Sequence, residues 1–165
     1  MKELLSHLIE SLREELKQYG EMLALLDQQQ QFVMQRHSTM LPANVHSVNT
    51  QAEVLAGARH EREQRQRNLA RMLELPENCG FKELIPKLPA DYRPLVDALV
   101  TENNELLARV QQRARQNHLL LSHCVELMSQ FLHSIFPAAR PLTYDGHGHA
   151  PVGVIAAQSL YAAVG

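Results

Sequence analysis

The chain has 165 residues, 45% of them apolar, with no tryptophan, 5% aromatic content and a formal charge of −2. That length supports one domain, or one domain with a tail, and the Leu-, Glu-, Gln- and Arg-rich composition favours long helices over a compact sheet protein. The near-neutral balance gives no general attraction to nucleic acid or to an anionic membrane.

The N-terminal "MKELLSHLIESLREEL" carries Glu3, Glu10, Glu14 and Glu15 inside its apolar stretch. Neither a signal peptide nor a membrane span accommodates them, so no membrane insertion and a cytoplasmic location are expected. From there the apolar residues recur at steps of four and three: Leu5, Ile9, Leu12, Leu16, Tyr19, Leu23 and Leu26, then Gln30 and Val33. This heptad seam predicts a first helix over about 2–38. "HSTMLP" breaks it, with Ser38 or Thr39 as a cap for the next helix and Pro42 in that helix's first turn.

A second seam, Leu41, Val45, Val48, Ala52 and Leu55, then Leu69 and Leu73, predicts a helix over about 42–74. Arg59, Arg62 and Gln66 interrupt it, which predicts that the packing loosens there. "RHEREQRQRNLAR", residues 59–71, is also the one local excess of positive charge. As a nucleic-acid helix it lacks interleaved aromatics, so an exposed face whose Arg stems cover apolar edges is the better reading.

Residues 75–91 hold Pro76, Pro86, Pro89 and Gly80, too many breakers for a long helix. The segment is expected to be a connector whose "FKELI" turn lays Phe81, Leu84 and Ile85 over the end of a bundle, with Asp91 capping the next helix. The third seam is the strongest: Val96, Leu99, Asn103, Leu106, Val110, Arg113, Asn117, Leu120, Cys124, Leu127, Phe131 and Ile135. It predicts a helix over about 92–136, ended by Pro137. Asn103 and Asn117 on that seam are expected to fix register. Cys79 and Cys124 share no C-x-x-C spacing, and the seam position of Cys124 predicts a free, reduced, buried thiol.

The expected fold is therefore all-α: an elongated antiparallel bundle of three long coiled-coil-like helices with a short helical connector over residues 1–136. Residues 137–165 form a flexible apolar C-terminal tail, in which the prolines and glycines of "FPAARPLTYDGHG" act as a hinge. His147 and His149, even with Asp145, give no closed ligand shell, so no metal site is assigned. No phosphate loop, nucleophile elbow or apolar carboxylate pair is present in the sequence. No catalytic residue and no cofactor is assigned, and an enzyme is not expected.

Three stretches carry a resemblance. They are "LKQYGEMLALLDQQQQFVMQR" in the first helix, "ENNELLARVQQRARQNHLLLSHCVELMSQFL" in the last, and "TYDGHGH" after it. In order, length and the trailing "TYDGHG", over about residues 1–145, they resemble the FlgN family of flagellar export chaperones. The resemblance implies a cytoplasmic helical protein that keeps hook-associated proteins 1 and 3, the hook–filament junction proteins, unpolymerised and brings them to the flagellar type III export apparatus. It also implies that the C-terminal region meets the helical ends of those clients, which on this sequence points to Leu127, Phe131, Ile135 and Phe136, then Leu142 and Tyr144. "HAPVGVIAAQSLYAAVG" matches no family motif. The rival readings are a self-assembling coiled-coil protein, a homo-oligomer, and more distantly a nucleic-acid-binding helical protein.

Overall fold

The structure is a computed structural model and describes residues 1–135. These residues are all-helical: α1 (Lys2–Met34), α2 (Leu41–Met72), a single turn α3 (Phe81–Leu84) followed by a 3₁₀ turn (Ile85–Lys87), and α4 (Arg93–Ile135). The chain divides into two compact units, Met1–Arg115 and Gln116–Gly165. The division falls inside α4.

In the first unit α1 and α2 pair antiparallel. Asn44 donates to the Leu25 carbonyl at 3.1 Å, Gln51 to the Gln18 side chain at 2.7 Å and Arg62 to Glu15 at 3.0 Å, so α2 climbs in number as α1 falls. The beginning of α4 runs in the same sense as α1. Asn103 donates to the Leu12 carbonyl at 3.0 Å, while Arg113 reaches Asp27 at 2.7 Å and hydrogen-bonds Gln30.

Two apolar clusters form the core of this unit. The first gathers Leu5, Leu8, Ile9 and Leu12 of α1 with Leu69 and Ala70 of α2, Cys79, Leu84 and Leu88 of the connector, and Val96 and Leu99 of α4. The second holds Tyr19, Met22 and Leu26 with Val110. Phe81 and Ile85 are half-buried against the first cluster, where the connector closes over it.

Between and beside the clusters the α1–α2 contact is polar. Glu15, Gln18, Gln29, Asn44 and Gln51 are all buried. A heptad count does not separate such residues from solvated ones, because only a partner on the facing helix makes their burial tolerable. Arg62 is the largest case. The sequence predicts looser packing where it interrupts the seam, and the structure overturns that. Its side chain is 15% exposed and paired with Glu15, itself 5% exposed. It donates also to Gln66 at 2.9 Å and lies 5.9 Å from the Phe81 ring centroid. Gln66 in turn donates to the Cys79 carbonyl at 2.8 Å, which ties the connector to α2. The run's other arginines are likewise engaged: Arg59 with Glu63, Arg65 with Glu61, Arg71 with Glu77, and Arg67 with the Glu63 carbonyl.

Both long helices of the hairpin end earlier than their seams suggest, for one shared reason. At Arg36 the backbone turns left-handed, φ 59°, and at Glu74 φ is 57°. His37 N–H then bonds the Phe32 carbonyl and Arg36 N–H that of Val33; Leu75 N–H bonds Ala70 and Glu74 N–H bonds Arg71. Each is a Schellman closure, and each carries its accompanying contact between the third residue from the end and the second beyond it. The Phe32 and His37 rings sit 6.5 Å apart, and Leu75 packs on the cluster that contains Ala70. Glycine normally marks such a closure, so its absence hides the closing geometry from the sequence. At the start of α2, Met40 occupies the cap position with no side-chain bond, in place of Ser38 or Thr39, while Pro42 does lie in the first turn. Because α4 begins at Arg93, the residue before it is Tyr92, and Asp91 falls one position short of the cap.

Three measurements follow from this packing. Arg62→Met strands the buried Glu15 carboxylate and should cost about 3 kcal/mol in urea unfolding, and adding Glu15→Leu should restore most of it. A single variant as stable as the parent would show the pair to be dispensable. Glu74→Gly relieves a left-handed non-glycine residue and should stabilise the protein by about 1 kcal/mol.

The third concerns Tyr19, whose hydroxyl donates to Glu15 at 3.1 Å. Burial, reinforced by the Glu15 charge and hydrogen bond, pushes its phenol from 10.0 up to about 12. The folded protein thus holds this proton more tightly than the unfolded chain does. The stabilisation is complete below pH 10 and is lost as pH rises toward 12, at up to about 1.4 kcal/mol per pH unit. Tyr19→Phe should flatten that alkaline decline in urea midpoints, and an unchanged decline would assign it to other groups.

Candidate functional site

No proline or glycine lies between Pro94 and Pro137, and the intervening Leu, Gln, Glu, Met and Arg residues are strong helix formers, so α4 runs unbroken to Ile135. In the second unit the described residues are Gln116–Ile135, the C-terminal part of that helix. Asn117 is fully buried and Leu120 and Leu121 half-buried; every residue from Ser122 to Ile135 is exposed.

The apolar residues of this stretch fall on one face. At 3.6 residues per turn, Leu120, Leu121, Cys124, Val125, Leu127, Met128, Phe131, Leu132 and Ile135 share an arc of roughly 160°. Ser122, His123, Glu126, Ser129, Gln130, His133 and Ser134 occupy the remainder. Phe131 is 58% exposed, Leu127 51%, Ile135 51% and Met128 60%. Several polar residues bond back to their own helix. The Nδ1 of His133 lies 2.8 Å from the Ser129 carbonyl, which can only accept, so the ring proton sits on that nitrogen, and the Ser134 hydroxyl donates to the Phe131 carbonyl at 2.7 Å.

Three of the residues chosen from sequence, Leu127, Phe131 and Ile135, are therefore together on one exposed face. Phe136, Leu142 and Tyr144 lie outside the described residues, as do His147, His149 and the tail. One expectation is corrected. Cys124 is exposed, whereas Cys79 is buried, and both are free. The seam argument assumes a partner for every seam position, and at Cys124 that assumption fails. Burial raises the Cys79 thiol above its ordinary value.

The sequence reading passed over Val125, Met128 and Leu132. Their signal was present in the doubled apolar pairs Cys124–Val125, Leu127–Met128 and Phe131–Leu132, which make the stripe wider than a two-helix seam requires. Covering any of Leu127, Phe131 or Ile135 removes about half a side chain's surface from water, worth roughly 1 kcal/mol each.

Among the described residues no group of three His, Cys, Asp or Glu side chains is placed to hold a metal ion. No described helix is long and apolar enough to cross a membrane. The face thus offers apolar contact, with the backbone-bonded Ser134 hydroxyl at one margin.

Comparison with curated proteins and with solved structures yields no match. Against family models, residues 1–151 match FlgN, described as FlgN protein. The chain therefore belongs to the FlgN family, the family of flagellar export chaperones.

Proposed function

We propose that the chain captures the helical, assembly-prone ends of hook-associated proteins 1 and 3, holds them unpolymerised in the cytoplasm, and carries them to the flagellar type III export apparatus. The C-terminal part of α4 makes the contact. The observation that carries this reading is the exposed apolar face of Leu127, Phe131 and Ile135, in a chain whose family serves flagellar export. Phe136, Leu142 and Tyr144 extend the contact beyond the helix. His147 and His149 take no part in it.

Physically, a client end with an apolar stripe pairs with further copies of itself unless that stripe is covered. A helix face of matching width covers it in the helix-on-groove mode, with a few central anchors supplying most of the binding energy. Reversal at the export apparatus requires only moderate strength. A range of about −8 to −12 kcal/mol, micromolar to nanomolar, outcompetes self-association and still permits release.

The test is calorimetric titration with a C-terminal fragment of a junction protein. Phe131→Ala or Ile135→Ala should weaken binding by about tenfold or more. Replacing His147 and His149 together should change it less. Because both apolar residues are already half exposed, neither substitution should move the melting temperature appreciably. A greater loss from the histidine pair than from Phe131 or Ile135 would remove the client site from this face.

A further inference from the structure

The same face has a second property, its lack of charge. Between Gln116 and Ile135 the only Asp, Glu, Lys or Arg is Glu126, and the helical spacing puts it on the side away from the apolar arc. The margins of the arc are Ser134, His123 and Gln130 on one side and Ser129 and Ser122 on the other. Elsewhere the long helices carry charges along their exposed sides, Glu10, Glu14, Lys17 and Glu21 on α1 and Glu61 and Arg71 on α2. Charges beside a sticky face keep identical molecules apart, because a symmetric pairing brings each surface onto a copy of itself. Here nothing of that kind opposes it.

We propose that a second copy of this chain covers the Leu120–Ile135 face when no client is present, so that self-pairing is the resting state and client binding displaces it. The proposal rests on the assignment of that face as the client site. In a two-fold pairing Leu127, Met128 and Phe131 lie at the centre, and the Glu126 carboxylates point away from each other. The size of the face sets the strength. Sixteen residues make a strip about 24 Å long and 10 Å wide, roughly 500 Å² for the two copies together, well short of the about 1,600 Å² of a standard stable interface. Such a pair forms at high protein concentration and falls apart on dilution, which a resting state that must yield to a client requires.

Cys124 reports on the contact without alteration of the protein. It sits near the middle of the arc and is exposed, and the other cysteine, Cys79, is buried. The experiment is sedimentation equilibrium of the full chain over a hundredfold concentration range, alone and with a junction-protein C-terminal fragment. It is paired with the rate at which a maleimide labels Cys124 in the same samples. The expected result is a monomer–dimer equilibrium, with Cys124 labelling slowed at least threefold at the dimeric end. Excess fragment should convert dimer to a one-to-one complex. Phe131→Glu should leave a monomer with unchanged helicity and melting, and should abolish both contacts.

A chain that stays monomeric throughout while still binding the fragment would overturn this inference and leave the client site standing. A dimer untouched by Phe131→Glu, or one that binds fragment without dissociating, would overturn it as well. A dimer broken by Phe131→Glu in a chain that binds no fragment would instead strike at the client assignment.

Discussion

The contact between Arg62 and Glu15 organises the first unit. A guanidinium and a carboxylate withdrawn this far from water are tolerable only if the remaining donors and acceptors are met. The fold meets them from three elements at once: Gln66 along α2, Tyr19 along α1, and the face of Phe81 from the connector. The ion pair therefore fixes where α2 lies along α1 and where the connector folds back. The apolar clusters on either side then fill spaces whose dimensions the polar layer has already set. Hydrophobic burial supplies most of the energy of such a unit, but apolar side chains accept more than one register, and a buried charge accepts very few.

What the sequence reveals of this protein follows the same division. The all-helical class and the positions of the long helices are legible because Leu5, Leu12, Leu26, Val96, Leu99 and Val110 recur at the spacing of a buried stripe, and those residues are buried. Asn103 also reads as an interior asparagine, and it bonds across to the Leu12 carbonyl. Gln18, Asn44 and Gln51 are not legible, since a polar residue beside a seam looks the same whether it faces water or a partner amide. The closures at Arg36 and Glu74 are hidden for a different reason: the geometry is that of a glycine, and the residue is not one.

The candidate site shows the complementary failure. Periodicity identifies Leu127, Phe131 and Ile135 as members of a stripe and says nothing about whether anything lies against it. The same rule that places Val96 in the core also places Cys124 there, and only one of the two is buried. An apolar stripe without a cover is a liability in an ordinary soluble protein and a working surface in a chaperone. Under the proposed function that stripe is the client surface, and the helix presents it on a backbone that is already ordered before anything binds.

The amide-rich seam between α1 and α2 bears on how this protein responds to temperature. Unfolding that exposes hydrocarbon raises the heat capacity, whereas unfolding that exposes amides and charged groups lowers it. With Gln18, Gln29, Asn44, Gln51, Glu15 and Arg62 in the interior, the two contributions oppose each other within a single interface. Such an interface makes the free-energy curve flatter, and its decline on cooling or warming more gradual, than a hydrocarbon seam of equal length would.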